Sequence, residues 1–231
     1  MSLDFPASGN AFWAIYDATG IRPEWLIPVL AYESGLNPAI PNSSGTPYYG
    51  IGQNSVADIS AYGGGVDPTT YMTWSASQQL STVVKGYFSR VVSKYGPLSS
   101  GIRVYQAEYL PATIPTATSL SDVISSAPSA YYEQNRSFDP QGKGYITVGD
   151  LGNAVSSQLS KAYVQDAISQ TYALRPWEFE TDPVYGSDFA FGGLGGFLPP
   201  LALAASFLLL SALAANAINP GSVPLPKLLK A

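Results

Sequence analysis

Apolar side chains recur at helical spacing through much of this 231-residue chain. The longest such stretch ends at Gly96 and contains Met72, Leu80, Val83, Val84, Tyr87, Phe88, Val91 and Tyr95. Residues three and four positions apart share one face of an α-helix, so this spacing produces a continuous apolar stripe. No segment shows the alternation of apolar and polar residues that is typical of a half-buried strand. The pattern therefore predicts a mainly α-helical fold.

Glycine and proline mark the ends of the predicted helices. Residues 11–19 form an amphipathic pattern that Gly20 closes, and Pro23 begins a second helix where its missing N–H costs nothing. Gly35 is a natural end for that second helix, which places Glu33 in its last turn. Further helices are predicted at residues 67–96 and 101–110, and two more within 121–173, while residues 38–65 are predicted to form a structured loop.

The composition excludes several kinds of chemistry. The chain has no histidine and no cysteine, which removes Ser-His-Asp hydrolysis, thiol nucleophiles and nearly all zinc catalysis. A net charge of −5 with scattered basic residues argues against nucleic acid as a partner. The 16 tyrosines and the sparse charge suit carbohydrate, whose sugar faces pack on aromatic rings. Acid–base chemistry is therefore expected from carboxylates.

Glu33 is the candidate catalytic acid. Cleavage of a glycosidic bond needs a carboxyl that keeps its proton near neutral pH, and burial together with the negative end of a helix dipole raises a carboxyl pKa. Val29 and Leu30 lie one turn before Glu33, and the predicted helix ends just after it. On spacing alone, a solvated glutamate at a helix end is the alternative interpretation.

The residues around Glu33 resemble a known family. Residues 20–38, with Glu33-Ser34-Gly35-Leu36-Asn37, are similar to the segment that leads into the catalytic glutamate of soluble-lytic-transglycosylase-type (goose-lysozyme-like) muramidases. Gly50-Ile51-Gly52-Gln53 resembles the family's Gly-Leu-Met-Gln element, with Gly52 in place of methionine. Tyr105-Gln106 resembles its Ala-Tyr-Asn element in the form seen in phage versions, with Gln106 in place of asparagine. The resemblance covers roughly residues 9–115.

The resemblance implies a lysozyme-like helical domain and a peptidoglycan lytic transglycosylase. One glutamate, Glu33, would protonate the bond between N-acetylmuramic acid and N-acetylglucosamine and then accept the proton of the muramoyl C6 hydroxyl, which closes a 1,6-anhydro ring. No cofactor and no metal site are expected. The residues implied to bind sugar or to support Glu33 are Ser34, Asn37, Gln53, Tyr105 and Gln106. For Asn37, a turn before Pro38 is an equal alternative.

Two other functions are consistent with the same residues. A hydrolytic lysozyme would need a second carboxylate to activate water, and Asp58 is the candidate in the same loop, although a helix cap or turn is the simpler role for it. A structural or conduit virion membrane protein could retain an inactive muramidase fold. The preference for the transglycosylase depends on Glu33 and its flanking residues.

Residues 139–150 have the length and shape of an EF-hand loop. Asp139 stands first, Gly144 stands at position 6 where the loop turns sharply, Ile146 stands at position 8 and Asp150 at position 12. Lys143 occupies a ligand position and would repel calcium, and the Asp150 side chain is too short for easy bidentate binding. The sequence therefore predicts a loop that keeps its turn geometry and binds calcium weakly or not at all.

The C-terminal part of the chain is different in kind. Residues 189–226 contain no charged residue, and the apolar run 201–218 is long enough to span a bilayer as a helix. The predicted organisation is a catalytic domain at 1–120, a helical extension at 121–188, a Gly/Pro-rich segment at 189–200, a transmembrane helix at 201–218 and a short basic tail at 219–231.

The location of the protein is inferred from these features. The N-terminal residues show neither a basic region nor a long apolar run, so no cleavable secretory signal is expected. Packaging in a phage particle would bring the enzyme to the cell wall, where it would act while the genome is delivered. The expected partners are peptidoglycan glycan strands, a lipid membrane through residues 201–218 and other virion proteins.

Overall fold

The computed structural model describes residues 3–42, 46–176 and 178. The fold is mainly helical, as the sequence predicted. The α-helices are α1 (Ala7–Thr19), α2 (Pro23–Ser34), α3 (Val56–Tyr62), α4 (Pro68–Tyr71), α5 (Ala76–Gln79), α6 (Lys85–Tyr95), α7 (Gly101–Tyr109), α8 (Ala130–Gln134), α9 (Val148–Leu159) and α10 (Ala162–Tyr172). A π-helical segment, Leu80–Val84, lies between α5 and α6, and short 3-10 turns occur at Pro111–Thr113 and Arg136–Phe138.

Two small sheets accompany the helices. Strand β1 (Tyr48–Tyr49) pairs antiparallel with β2 (Asn54–Ser55), and β3 (Val123–Ser126) pairs antiparallel with β4 (Tyr145–Thr147). These strands have two to four residues each, which is too short for an alternating pattern to be visible in the sequence. The region 121–173 also contains three α-helices where the sequence predicted two.

The helix ends follow their capping residues. Pro23 lies in the first turn of α2, and Gly35 ends that helix with a left-handed conformation whose N–H donates to the Ala31 carbonyl. At the start of α9 the Thr147 and Asp150 side chains form a reciprocal capping box. The predicted end of α2, and therefore the position of Glu33 in its last turn, is correct.

Helix α2 is central to the core. Its residues Ile27, Val29 and Leu30 are fully buried, and it packs against α7, α9 and α10. The Tyr172 hydroxyl donates to the buried Glu24 carboxyl, and the Trp13 indole N–H donates to the Thr171 carbonyl at 2.8 Å. These bonds join α10 to α1 and α2. Residues up to Leu174 form one compact unit, so residues 121–174 of the predicted extension pack directly on the predicted catalytic domain.

The apolar run 201–218, predicted to cross a membrane, lies outside the described residues, as does the rest of the segment from 179 onward. None of the helices in the described part of the chain has the length and hydropathy that a membrane crossing requires.

Candidate active site

A polar pocket of about 670 Å³ opens beside the end of α2. It is lined by two carboxyl groups, those of Glu33 on α2 and Glu108 on α7. Four side-chain amides also line it, at Asn42, Gln53, Gln134 and Asn135. Four tyrosines complete most of the surface, at Tyr48, Tyr105, Tyr109 and Tyr131. These are the groups that hydrogen-bond and stack on sugars.

Glu33 is partly exposed to this pocket but largely surrounded by protein. Burial raises its pKa from an ordinary 4.5 to about 7, against the opposing effect of a hydrogen bond with the Tyr105 hydroxyl. A carboxyl with this pKa has substantial protonated and ionised populations at neutral pH, so it can both donate and accept a proton.

Tyr105 is the hydrogen-bond partner of Glu33. Its side chain is almost fully buried on α7, where its ring contacts Tyr32 at 5.4 Å and Phe138 at 5.7 Å between centroids. Burial and the charge of Glu33 raise the pKa of Tyr105 well above 10.0, so the phenol stays protonated. The Tyr105 O–H group is therefore the hydrogen-bond donor to Glu33 whenever that carboxyl is ionised.

Glu108 is the second carboxyl of the pocket. Burial and the charges of Glu33 and Asp58 raise its pKa well above the ordinary value. It lies three residues after Tyr105, so both side chains project from the same face of α7. Among the described residues that line the pocket none is basic, and no described residue forms an ion pair with Glu108.

The glycine-containing loop after α2 forms another side of the pocket. The Ser34 hydroxyl contacts the Leu30 and Ile51 carbonyls at 3.0 and 2.7 Å, which ties this loop to the end of α2. The buried Gln79 side chain accepts from the Ile51 N–H at 2.8 Å and donates to the Pro38 and Tyr71 carbonyls. The loop is therefore held from both sides.

Gly50 meets two structural requirements in this loop. Its φ of +76° is a left-handed conformation, and a Cβ atom there would overlap Gln79 Oε1 and lie 2.5 Å from the Tyr71 ring. Gly52 also lies close to neighbours, since a Cβ would come to 3.0 Å from the Asn54 side chain. Close packing thus excludes a Cβ at Gly50 and leaves little room for one at Gly52.

The structure brings some of the sequence-predicted residues together and leaves others apart. Glu33, Gln53 and Tyr105 line the pocket, although the Gln53 amide nitrogen already donates to the Gly50 carbonyl at 3.0 Å. Ser34 does not line the pocket, and its hydroxyl contacts the Ile51 carbonyl. Asn37 and Gln106 do not line the pocket either.

Asn37 and Gln106 have local structural partners. The Asn37 side chain accepts from the Ala39 N–H at 3.0 Å, which is the turn role given as the alternative for it. Gln106 is fully buried, and its amide donates to Thr113 Oγ1 at 3.0 Å and to the Ala117 carbonyl at 3.1 Å. Its position therefore supports the segment after α7.

Asp58, the candidate second carboxylate of a lysozyme, does not line the pocket. It forms an ion pair with Arg90 at 2.9 Å and accepts from the Ser55 hydroxyl at 2.6 Å. Its backbone N–H donates to Ser55 Oγ, which caps α3. Its carboxylate is thus committed to a helix cap and to Arg90.

The EF-hand-like loop contains its own cation. The Lys143 ammonium lies 2.9 and 2.8 Å from the two carboxylate oxygens of Asp150. Asp139 accepts from the backbone N–H groups of Lys143 and Gly144 and from the Tyr132 hydroxyl. No cluster of three or more acidic residues in the described part of the chain could hold a metal ion.

Several residues of the pocket were not predicted from the sequence. Glu108 could have been found from its spacing, because it follows Tyr105 by three positions in a predicted helix. Tyr131, Gln134, Asn135 and Phe138 come from α8 and the turn after it, in the predicted extension. Nothing in their local sequence indicates that they lie beside Glu33, since tertiary packing alone brings them there.

Comparisons with known proteins did not identify relatives. No family model matches the chain, and no match was found among curated proteins or solved structures.

Proposed function

We propose that this protein is a peptidoglycan lytic transglycosylase, which cleaves the β-1,4 bond between N-acetylmuramic acid and N-acetylglucosamine and leaves a 1,6-anhydro end. The observation that carries the proposal is Glu33, a carboxyl whose pKa is raised to about 7 at the surface of a polar pocket. The resemblance of residues 20–38 and 50–53 to lytic transglycosylases agrees with this chemistry.

Glu33 would act twice in the reaction. Its carboxyl gives a proton to the glycosidic oxygen as the bond from that oxygen to the muramoyl C1 breaks and positive charge develops at C1. The resulting carboxylate then takes the proton of the C6 hydroxyl, while the C6 oxygen bonds to C1 and closes the anhydro ring. No water is consumed, and Glu33 returns to its protonated form.

Tyr105 would stabilise the middle of this sequence. Glu33 is ionised between the two proton transfers, and the Tyr105 hydroxyl is its hydrogen-bond donor. A hydrogen bond to a charged group is worth about 1.5–3 kcal/mol. Tyr105 would thus lower the free energy of the step in which the carboxylate and the positively charged sugar coexist.

The rest of the pocket suits a glycan strand. Asn42, Gln134 and Asn135 offer amide donors and acceptors for hydroxyl and acetamido groups. Tyr48 and Tyr131 line the pocket with side chains 39% and 51% exposed, which leaves ring surface free for a sugar.

A hydrolytic lysozyme is the second candidate, because Glu108 supplies the second carboxyl that Asp58 does not. Hydrolysis with inversion would use one carboxyl as the acid and the other, ionised, as the base that activates water. The products distinguish the two reactions, since hydrolysis leaves reducing ends and the transglycosylase leaves anhydro ends.

We also propose a setting for the activity. Residues 201–218 would anchor the protein in a lipid membrane, and a phage particle would bring it to the cell wall together with other virion proteins. A structural or conduit virion membrane protein with an inactive muramidase fold is the alternative in the same setting. Loss of activity in a folded Glu33 variant would separate an enzyme from such a structural protein.

The decisive experiment uses purified peptidoglycan. The full-length chain, in a mild detergent, is incubated with it beside the Glu33→Gln variant and the exposed control Glu133→Gln, and the released fragments are analysed by mass spectrometry. Anhydromuramoyl ends, lighter than reducing ends by one water, are expected from the wild type and the control. The Glu33→Gln variant is expected to release fewer by a factor of about 10² or more.

Two outcomes would contradict the proposal. Reducing ends from the wild type would establish the hydrolase. No release from any of the three proteins, with folding verified by circular dichroism, would favour the structural role.

A further inference from the structure

We infer that Glu108 binds the saccharide as a neutral carboxyl that donates a hydrogen bond, and that it is not a base that activates water. This inference rests on the proposed function of the pocket, and it assigns a role to a residue outside the motifs that suggested that function. It also explains how a pocket with two carboxyls can form an anhydro product.

The placement of Glu108 brings it to the same ligand as Glu33. Both carboxyls line one pocket, and Glu108 projects from the face of α7 that presents Tyr105, the hydrogen-bond partner of Glu33. The charges of the two carboxyls act on each other, as the effect of Glu33 on the pKa of Glu108 indicates. A saccharide that reaches Glu33 therefore also meets Glu108.

The surroundings of Glu108 disfavour its ionised form. Glu33 on α2 and Asp58 on α3 both oppose a negative charge there. Tyr71, Tyr87 and Tyr105 are the other titratable groups that Glu108 affects, and all three are buried phenols. No group in this set supplies a positive charge.

The basic residue beside Asp58 and Tyr87 is used elsewhere. Arg90 pairs with Asp58 at 2.9 Å and lies over the Tyr87 ring, with 5.2 Å from its Cζ to the ring centroid. In the described part of the chain no ion pair reaches Glu108, and no hydrogen bond from a described donor reaches its carboxylate. Without such partners, burial and the charges of Glu33 and Asp58 favour the protonated form of Glu108.

The charges around Glu108 disfavour the role of base. A base for water must be ionised while the acid is still protonated. Burial and the charges of Glu33 and Asp58 raise the pKa of Glu108 well above its ordinary value, which opposes its ionisation. Glu108 is therefore poorly suited to activate water.

A protonated carboxyl has one O–H donor and one carbonyl acceptor. A side-chain amide likewise has a donor and an acceptor group. On a glycan the matching partners are the hydroxyl and acetamido groups. Glutamine is thus the appropriate substitute for a neutral Glu108, since it keeps the size and hydrogen-bonding capacity and cannot ionise. Alanine removes the hydrogen bond and leaves the pocket otherwise intact.

Binding tests the inference without turnover. The full-length Glu33→Gln chain is titrated calorimetrically with N-acetylchitopentaose, alone and with Glu108→Gln or Glu108→Ala added. We expect Glu108→Gln to weaken binding about threefold or less and Glu108→Ala about tenfold or more, which corresponds to the loss of one hydrogen bond. The exposed variant Glu133→Gln is the matched control and should leave binding unchanged.

Cleavage of peptidoglycan tests the same point during the reaction. In chains that keep Glu33, we expect Glu108→Gln to lower kcat/KM about threefold to tenfold and to release anhydromuramoyl ends. If Glu108 were a catalytic base, the same substitution would instead lower kcat/KM by a factor of about 10²–10⁴. Carbon-13 NMR of the wild-type glutamate carboxyls, with Glu108 assigned through its absence in Glu108→Gln, should show Glu108 protonated at pH 7.

Three results would overturn the inference. They are a Glu108→Gln enzyme as inactive as Glu33→Gln, a Glu108→Ala chain that binds the oligosaccharide as tightly as its parent, and an NMR titration of Glu108 near the ordinary glutamate range. If Glu108→Ala does not fold, the titration of the wild type still decides. If the wild type releases no fragments, the proposed function fails, whereas binding and NMR still report on Glu108.

Discussion

Glu33 lowers the stability of the folded protein once it ionises. Its pKa is about 7 in the folded state and 4.5 ordinarily, so between these values the folded protein binds a proton that the unfolded chain has lost. The contribution of the Glu33 proton to the free energy of unfolding is fully present below about pH 4.5 and is lost as the pH rises through 7. Above pH 7 this loss amounts to about 3 kcal/mol.

The Glu33→Gln variant should therefore be more stable than the wild type at pH 8, by about 1–3 kcal/mol, and similar to it at pH 4. Glutamine avoids the burial of a charge, which is the cause of the raised pKa. Urea unfolding at the two pH values measures the difference, with the exposed Glu133→Gln as control. An equal difference at both pH values would show that Glu33 is not the group responsible.

Gly50 provides a second prediction at the scale of single residues. Gly50→Ala should lower the free energy of unfolding by about 2–4 kcal/mol, because it combines a left-handed φ with overlap against Gln79 and Tyr71. Gly64 has a similar φ of +72° but nothing within 4 Å of a Cβ, so Gly64→Ala should cost only about 1 kcal/mol. Urea unfolding compares them, and equal losses would mean that the close contacts do not matter.

The loop between the 3-10 turn at Arg136–Phe138 and helix α9 is stabilised by Lys143. Its ammonium contacts both oxygens of Asp150, whose side chain also caps α9, and the side chains are 25% and 14% exposed. The hydrogen bond with Asp150 raises the pKa of Lys143, which keeps the ammonium charged. The lysine thus takes the place that a bound cation has in an EF-hand loop.

Lys143→Met should cost about 1–2 kcal/mol, between the values for exposed and buried pairs. Millimolar calcium should leave the melting temperature of the wild type unchanged, because the Asp150 oxygens already have a cationic partner. Differential scanning calorimetry with and without calcium measures both effects, with the exposed Lys161→Met as control. A saturable increase in the wild-type melting temperature with calcium would contradict this interpretation.

At the scale of the whole molecule, α9 and α10 complete the core around α2. A chain that ends at residue 120 lacks both helices, leaves the Trp13 N–H and the Glu24 carboxyl without their α10 partners, and exposes apolar residues of α2. We expect this chain to show no cooperative thermal unfolding by circular dichroism, and a chain that ends at residue 188 to unfold cooperatively. Cooperative unfolding of the shorter chain would show that residues 1–120 fold independently.

The sequence predicted the helical class, the end of α2 and the position of Glu33, because glycine, proline and apolar spacing act locally. It also selected Gln53 and Tyr105, which do line the pocket. It did not predict Glu108 or the residues of α8, since their positions depend on packing between segments far apart in sequence. Asn37 and Gln106 show the converse, because the side chain of a polar residue near a motif can bond to nearby parts of the chain and not to the pocket.

The pocket surface is assembled from chain segments that lie between Glu33 and Phe138. During synthesis, Glu33 leaves the ribosome long before α8 and Phe138 exist. The unfinished chain therefore carries this carboxyl in an open, hydrated setting where its pKa is ordinary, and the raised proton affinity that the proposed reaction needs arises only as the later segments fold over it. The property on which the proposed function depends is thus acquired late in the production of the chain.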